Sequence, residues 1–564
     1  MLRAFNTLYA EYEIIKNLKF KTTFSYDYTT VKGEKWYDPR TSNGEDENGE
    51  VVKRIREYKK MVWSNTLSYL TTFNNIHHLD FLAGYEIDDT YNDYLSGEAY
   101  NFTTPDKHAI SNGMKTVSVG GSDSRYRLVS YLSRLNYDYK NKYYLGASFR
   151  VDGSSRLHRD NRWGTFWSVS GAWRTIEEEF MQPVKDWLTD LRIRASYGVN
   201  GTLPSDYFGY MGLSSISGGY LEQPGIQMSQ IANPNLKWET NYNMNIGLDF
   251  GFWDRLNFTI EYYTRTTKNL LMDCPVSMTT GFSSYLMNIG EVKNKGIELT
   301  INSTNIKIKD FSWNTTFNLG HNSNKVVKLD GEQTQIVSGT QIHKVGSSYR
   351  TFYVQEFAGI NPETGNPLFY TNELDENGNY IKEITENSKN AQFIPYKHAE
   401  PTVNGGISNS LRYKWLDLNF LFSYQFGGYS YDTWAQKTEH GGYDSYANIP
   451  TYYRDSWKKP GDQTNIEVYM LGKSSSVSMH KITSSRRIHS TDYFRLKNIT
   501  FGITLPKEWT NKINIGNVRF YASASNLWTW AAYDNYDPEA VSAGSATQTT
   551  PPLKTVTFGL NINF

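Results

Sequence analysis

An alternation of period two, returning along the whole chain, constrains the fold more than any other feature. Tyr143, Leu145, Ala147, Phe149 and Val151 are apolar, and between them stand Tyr144, Gly146, Ser148 and Arg150. Successive side chains of an extended strand point to opposite faces, so such a segment has one apolar and one polar face. Leu191, Ile193, Ala195, Tyr197 and Val199 repeat the pattern, as do Tyr242, Met244, Ile246, Leu248 and Phe250. The last segment carries it in Val556, Phe558, Leu560, Ile562 and Phe564. Seventeen segments read this way: 4–12, 18–28, 61–71, 79–87, 126–139, 143–152, 163–173, 191–200, 240–251, 255–263, 294–302, 310–320, 403–411, 415–426, 492–504, 516–526 and 553–564. Most are about 9–12 residues long, the length of a tilted membrane-spanning strand rather than the roughly 5–6 of a globular one.

The connections alternate as well. Short ones fall near 13–17, 72–78, 140–142, 252–254, 303–309, 412–414 and 505–515, with 174–190 somewhat longer. Long ones fall at 29–60, 88–125, 201–240, 264–293, 321–402, 427–491 and 527–552, and 153–162 is a short exception. Short turns on one side and long loops on the other is the arrangement of an outer-membrane barrel, with the long loops outward. The 43 Tyr, 28 Phe and 15 Trp crowd segment ends, as at Trp163, Phe166, Trp167, Trp173, Trp528 and Trp530. Tyr and Trp favour the membrane interface, where one end of the ring is dry and the other wet.

Composition narrows the function classes. Lys+Arg and Asp+Glu are both 58, so a generally basic nucleic-acid binder is disfavoured. Mean hydropathy is −0.60, and no apolar run reaches the length of a membrane helix. A single cysteine, Cys274, excludes an intrachain disulfide and a cysteine-rich zinc site. The first residues show no apolar leader, and the odd strand count predicts at least one strand upstream of Met1, because closed bacterial barrels have even counts.

Seven strings bring a family resemblance. They are 149–156 (FRVDGSSR), 163–170 (WGTFWSVS), 195–201 (ASYGVNG), 233–239 (NPNLKWE), 290–299 (GEVKNKGIEL), 493–499 (YFRLKNI) and 536–539 (YDPE). In these the chain resembles the C-terminal barrel of SusC/RagA-type TonB-linked outer-membrane proteins of Bacteroidetes. The resemblance implies an all-β, antiparallel transmembrane barrel of about 22 strands, of which residues 1–564 supply seventeen. It also implies a plug and roughly five strands outside this chain. The implied function is import of oligosaccharides or peptides across the outer membrane, energised by TonB and capped by a SusD-like lipoprotein, with no cofactor and no catalysis. A calcium-loop string often found in the family is replaced here by residues 361–366 and 375–379.

Candidate site residues follow. Val556, Phe558, Leu560, Ile562 and Phe564 resemble the signal read by the outer-membrane assembly machinery. The long outer loops 321–402 and 427–491 are the expected seat of substrate and partner contacts. Asp152-Gly153-Ser154-Ser155-Arg156 suits a turn, and Trp238 suits an interfacial anchor. Acidic residues at 44–49 and 375–379 offer oxygen ligands without EF-hand spacing. His77-His78 reads as a solvated turn, since zinc needs three or four converging ligands. No nucleophile elbow, zinc-protease or phosphate-loop motif occurs. The alternative is a secreted β-rich glycan-binding protein or glycoside hydrolase, with shorter strands and two packed sheets. A passive porin, the third option, would be a complete even-stranded barrel.

Overall fold

A computed structural model describes residues 1–563 except 221–222, 330–333, 444–447, 473–477, 480, 511, 513–514, 542 and 547–548. Phe564, a candidate site residue, lies outside the described residues. Seventeen strands belong to one sheet. They are β1 (Leu2–Ile15), β2 (Leu18–Tyr37), β3 (Glu50–Phe73), β4 (His77–Phe102), β5 (Gly113–Tyr139), β6 (Tyr143–Ser154), β7 (Trp163–Trp173) and β8 (Leu188–Thr202). Then come β9 (Glu239–Phe252), β10 (Leu256–Lys268), β11 (Glu291–Lys307), β12 (Phe311–Lys328), β13 (Val403–Tyr413), β14 (Leu416–Phe426), β15 (Tyr493–Thr504), β16 (Asn517–Ala531) and β17 (Thr555–Asn563). Each overlaps one segment of period-two alternation. Among the described residues no helix is long and apolar enough to cross a membrane.

The chain divides into two compact units. In the first, β1 to β7 form consecutive antiparallel pairs. In the second, β11 to β17 do the same. The short turns are tight because left-handed residues close them: Asn74 and Asn75 at φ 50° and 56°, and Lys140 and Asn141 at 55° and 53°. Positive φ at both central residues matches the twist of the flanking strands.

Register sorts the side chains of the first unit. One row runs Leu8, Phe24, Trp63, Ile87, Val129, Gly153 and Trp163 across seven strands. Gly153 therefore lies in β6, not in a turn. A Cβ there would meet the Trp163 ring at 2.7 Å, so the glycine makes room for the indole. A second aromatic row closes the same face at the short-turn end. His77 meets Tyr139 at 5.0 Å, Tyr139 meets Tyr143 at 6.2 Å, and Tyr143 meets Trp173 at 6.4 Å between ring centroids. His77 thus opens β4 within an aromatic row, and its Nδ1 lies 2.7 Å from the Tyr137 hydroxyl. The turn ends two residues earlier than the sequence suggests, because Tyr137 and Tyr139 give the His77 imidazole partners.

The opposite face carries its charges in pairs. Arg3 joins Asp27 at 2.6 Å, Lys60 joins Asp88 at 2.7 Å, Arg134 joins Asp80 at 3.0 Å, and Arg150 joins Asp152 at 2.7 Å. One face apolar and one face ionic is the division between lipid and a wet interior.

Strands β2 to β5 run 20, 24, 26 and 27 residues. About ten suffice to cross a bilayer. The expected loops 29–60 and 88–125 are therefore mostly hairpin, with only 38–49 and 103–112 left as connections. Beyond the apolar row both faces are wet, so alternation stops while the hydrogen-bond ladder continues. The tip is capped by a small core of Val51, Ala99 and Phe102, against which Trp36 packs at 4.9 Å from Phe102. Each run has an exposed end strand. Every residue of β1 is exposed, and eight of nine in β17.

Candidate functional site

In the second unit the long connections between β12 and β13, β14 and β15, and β16 and β17 fold together. Tyr429–Asp432 pairs antiparallel with Ile488–Ser490 on one side and parallel with Ser545–Ala546 on the other. Gln355 bridges to Ser484, and Gln341 donates to the Ala543 carbonyl at 2.7 Å. Phe352, Val354, Tyr431 and Ile488 make one apolar core; Phe369, Ala391, Met479 and Ile482 make another. The favoured loops 321–402 and 427–491 thus form one body, which also takes in residues of 527–552.

Charge locks this body internally. Glu467 is fully buried; Arg486 Nη1 donates to it at 2.9 Å and the Tyr453 hydroxyl at 2.9 Å. Arg487, also fully buried, pairs with Glu439, which accepts from the Tyr452 hydroxyl as well. Burial, then the nearby carboxylates, push both tyrosine hydroxyls far above their ordinary range. Ions this deeply buried are tolerated only when paired.

A second lock ties the last loop to the wall. Arg495 on β15 is 2% exposed and donates to Asp537 at 2.6 Å and to Glu539. Lys497 reaches Glu539 at 2.6 Å, and the Tyr493 hydroxyl donates to it at 3.0 Å. The strings 493–499 and 536–539, far apart in sequence, are therefore two halves of one contact. Sequence reasoning singled out both and joined neither; alternate charge on the two strings was the available signal.

Four other strings converge in the first unit. Phe166 and Trp238 pack edge to face at 5.2 Å within a core that includes Leu157 and Leu236. Trp238 is 9% exposed, and its Nε1 donates to the Arg162 carbonyl at 3.0 Å. This corrects the reading of both Trp238 and Phe166 as interfacial aromatics: Phe166 is buried in the same core, on the face of β7 opposite the lipid row. Arg156 sits between the rings of Tyr126 and Tyr207 at 4.0 and 4.4 Å and donates to the Pro204 carbonyl. In the 290–299 string, a Cβ on Gly296 would meet the Tyr263 hydroxyl at 2.6 Å, so that glycine seats the tyrosine.

The carboxylate of the 375–379 loop is occupied by the loop's own backbone. Asp375 accepts from the amides of Asn377 and Asn379 at 2.9 and 2.8 Å. Glu386 holds the 361–366 turn through Thr364 at 2.7 Å, Asn366 at 3.0 Å and Asn361. Among the described residues no three His, Cys, Asp or Glu side chains converge as a metal set. Cys274 is buried in the hairpin of Leu271–Pro275 with Ser284–Asn288, and burial raises its thiol to about 11.

The terminal strand presents Val556, Phe558, Leu560 and Ile562 on one face, opposite Ala524, Ala522, Phe520 and Val518 of β16. Phe558 is 80% exposed. An apolar stripe on an exposed end strand is a surface suited to strand pairing.

Comparison with known proteins places these features. Residues 3–380 match the family model described as "TonB dependent receptor-like, beta-barrel". TonB-dependent receptor P3 of Formosa agariphila is 31% identical over 99% of this chain and 57% of its own length. TonB-dependent receptor SusC of Bacteroides thetaiotaomicron is 29% identical over 92% of this chain and 51% of its own. A solved structure of the RagAB peptide transporter superposes with a TM-score of 0.88 at 26% identity, covering 100% of this chain and 62% of that one. The chain spans little more than half the length of the curated relatives it matches.

Proposed function

The chain belongs to the TonB-dependent receptor-like β-barrel family, and from that premise we propose that it is the wall of a SusC/RagA-type outer-membrane importer. It binds and passes oligosaccharides or peptides rather than transforming them. A SusD-like lipoprotein covers the long-loop end, and TonB supplies energy through a plug-bearing N-terminal region. The outer-membrane assembly machinery reads the last strand through Val556, Phe558, Leu560, Ile562 and Phe564. Additional strands of the same barrel flank β1 and β17, whose exposure is unsuited to a bilayer edge.

The observation that carries this reading is the spacing of the aromatic rows. Trp163 and Trp173 bound β7 on its apolar face, ten residues apart. At about 3.3 Å per residue that is about 33 Å along the strand. Tilted as membrane strands are, it spans roughly 25 Å, the height of an outer-membrane apolar band. A wall built to that height around a paired-charge face serves passage through a membrane.

The test is uptake by cells lacking the gene and by cells lacking TonB. The expected outcome is loss of growth on one oligosaccharide or peptide source in both strains. Restoration by the complete gene in the first strain alone would follow. Unchanged uptake in both strains would overturn the proposal.

A further inference from the structure

In the first unit, the sheet face that carries the lipid row changes character over the next two rows outward. The apolar row crosses β2 to β5 as Phe24, Trp63, Ile87 and Val129. Two residues outward it becomes Tyr26, Met61, Asp89 and Arg127, and two residues further Tyr28, Lys59, Tyr91 and Arg125. Residues paired across a ladder share a face and stand side by side. Asp89 orders the two arginines. Its carboxylate accepts from Arg125 Nε at 2.7 Å and Nη2 at 2.5 Å, and from Arg127 Nε at 2.8 Å. That carboxylate is covered, with 10% of its side chain exposed, while the Arg125 and Arg127 side chains are 52% and 58% exposed. Among the described residues, Arg125 Nη1 and both Nη atoms of Arg127 make no hydrogen bond to the chain. Lys59 lies 5.9 Å and 5.8 Å from the ring centres of Tyr28 and Tyr91, and Glu57 holds it at 2.9 Å from the outward side.

The next row outward, Thr30, Glu57, Asp93 and Asp123, is acidic. The cationic strip is therefore two rows deep, with apolar side chains below it and carboxylates above. At about 3.4 Å per residue on strands tilted by about 45°, its rows lie about 5 and 10 Å outward of the apolar row. That is the level of a bilayer's polar headgroups, and Lys and Arg reach back toward it along their aliphatic stems. A guanidinium with open donors takes phosphate oxygens through parallel hydrogen bonds. Continuity with the lipid row decides the occupant. Acyl chains lying against Phe24 and Trp63, 41% and 44% exposed, bring their own headgroup onto the strip. An anion arriving from water meets the acidic row first. We propose that Lys59, Arg125 and Arg127 form a headgroup site for a phosphate-bearing lipid of the outer leaflet, with the two arginines on the phosphate and Lys59 at its flank. The proposal rests on this wall standing in the outer membrane, and it goes beyond the importer reading to the lipid around the wall.

The experiment titrates the complete, detergent-purified receptor with lipid A, with lipid A stripped of its phosphates, and with inorganic phosphate as competitor. Bound lipid is counted by native mass spectrometry. The variants are Arg127→Gln and Lys59→Gln, singly and together, which leave Arg125 on Asp89 and Tyr28 on Glu57. Lys53→Gln, on the same face six residues further out, is the control. The natural receptor should bind lipid A about tenfold or more tightly than the stripped lipid. The double variant should lose most of that preference, each single variant part of it, and Lys53→Gln none. Unfolding temperatures in lipid-free detergent should agree across the set. Equal binding of the two lipids by the natural receptor, or an undiminished preference in the single and double variants, would overturn the site. Inorganic phosphate displacing lipid A at equal concentration would also overturn it, since the ligand would then be a free anion. Loss of TonB-dependent uptake, measured separately, reports on the importer reading alone.

Discussion

Trp238 and Cys274 show how a side chain's surroundings decide its chemistry. Tryptophan is amphipathic, so composition alone cannot separate a membrane anchor from a buried ring with one donor. The distinction came from Phe166 and from the Arg162 carbonyl, contacts that no local pattern announces. Trp238→Ala should cost about 3 kcal/mol through a cavity and an orphaned carbonyl. The check is limited proteolysis of the folded receptor, with faster cleavage in 203–238 and unchanged membrane insertion. Cys274 makes the opposite kind of prediction. With its thiol raised to about 11 by burial, it holds little thiolate near neutral pH. Maleimide labelling at about pH 8 should be slow in the native protein and complete only after denaturation. Fast native labelling would mean that the hairpin over Cys274 opens.

Elements were legible to the extent that one face met lipid. The strand stretches that alternate, such as β7 at Trp163–Trp173, were readable to the residue. The outward extensions of β2 to β5 were not, because Lys32, Glu34, Lys53 and Arg54 stand where both faces are wet. The small strands of the outer loops, such as Tyr429–Asp432 with four residues, are too short to show a period. Their order comes instead from long-range charge. Glu539→Gln should weaken the tie between the last loop and β15, because Arg495 stays buried with one carboxylate fewer. Truncating a partner of a buried pair typically costs about 3–5 kcal/mol, and this milder change should cost less. Hydrogen exchange in 536–546 should rise while exchange in 499–504 does not. The same loops should soften in acid. Desolvation holds the imidazoles of His343 and His489 below their ordinary range. Folded, they stay neutral where the unfolded chain would bind protons, so stability rises with pH in that window. Lowering pH from about 7.5 to about 5.5 should therefore reduce the protection factors at 341–355 and 488–490, once the slower intrinsic exchange in acid is divided out.

At the scale of the whole molecule, the alternation, the short and long connections and the aromatic ends were sufficient to read a membrane β-barrel from sequence. The locks on the wet face were not legible, since Arg495 and Glu539 are joined only by the fold. A barrel wall in the outer membrane requires that one face of these strands meet lipid. β7 tests it most directly. Single cysteines bearing spin labels would be placed in the complete receptor at Thr165, Trp167, Val169 and Gly171, and at Phe166, Ser168 and Ser170. After reconstitution, collision rates with oxygen and with a water-soluble nickel complex would be measured. Oxygen-rich, nickel-poor labels are expected at the odd positions, deepest near the middle of the strand, and the reverse at Ser168 and Ser170. Equal nickel access on both faces, or lipid contact on the even face, would contradict it.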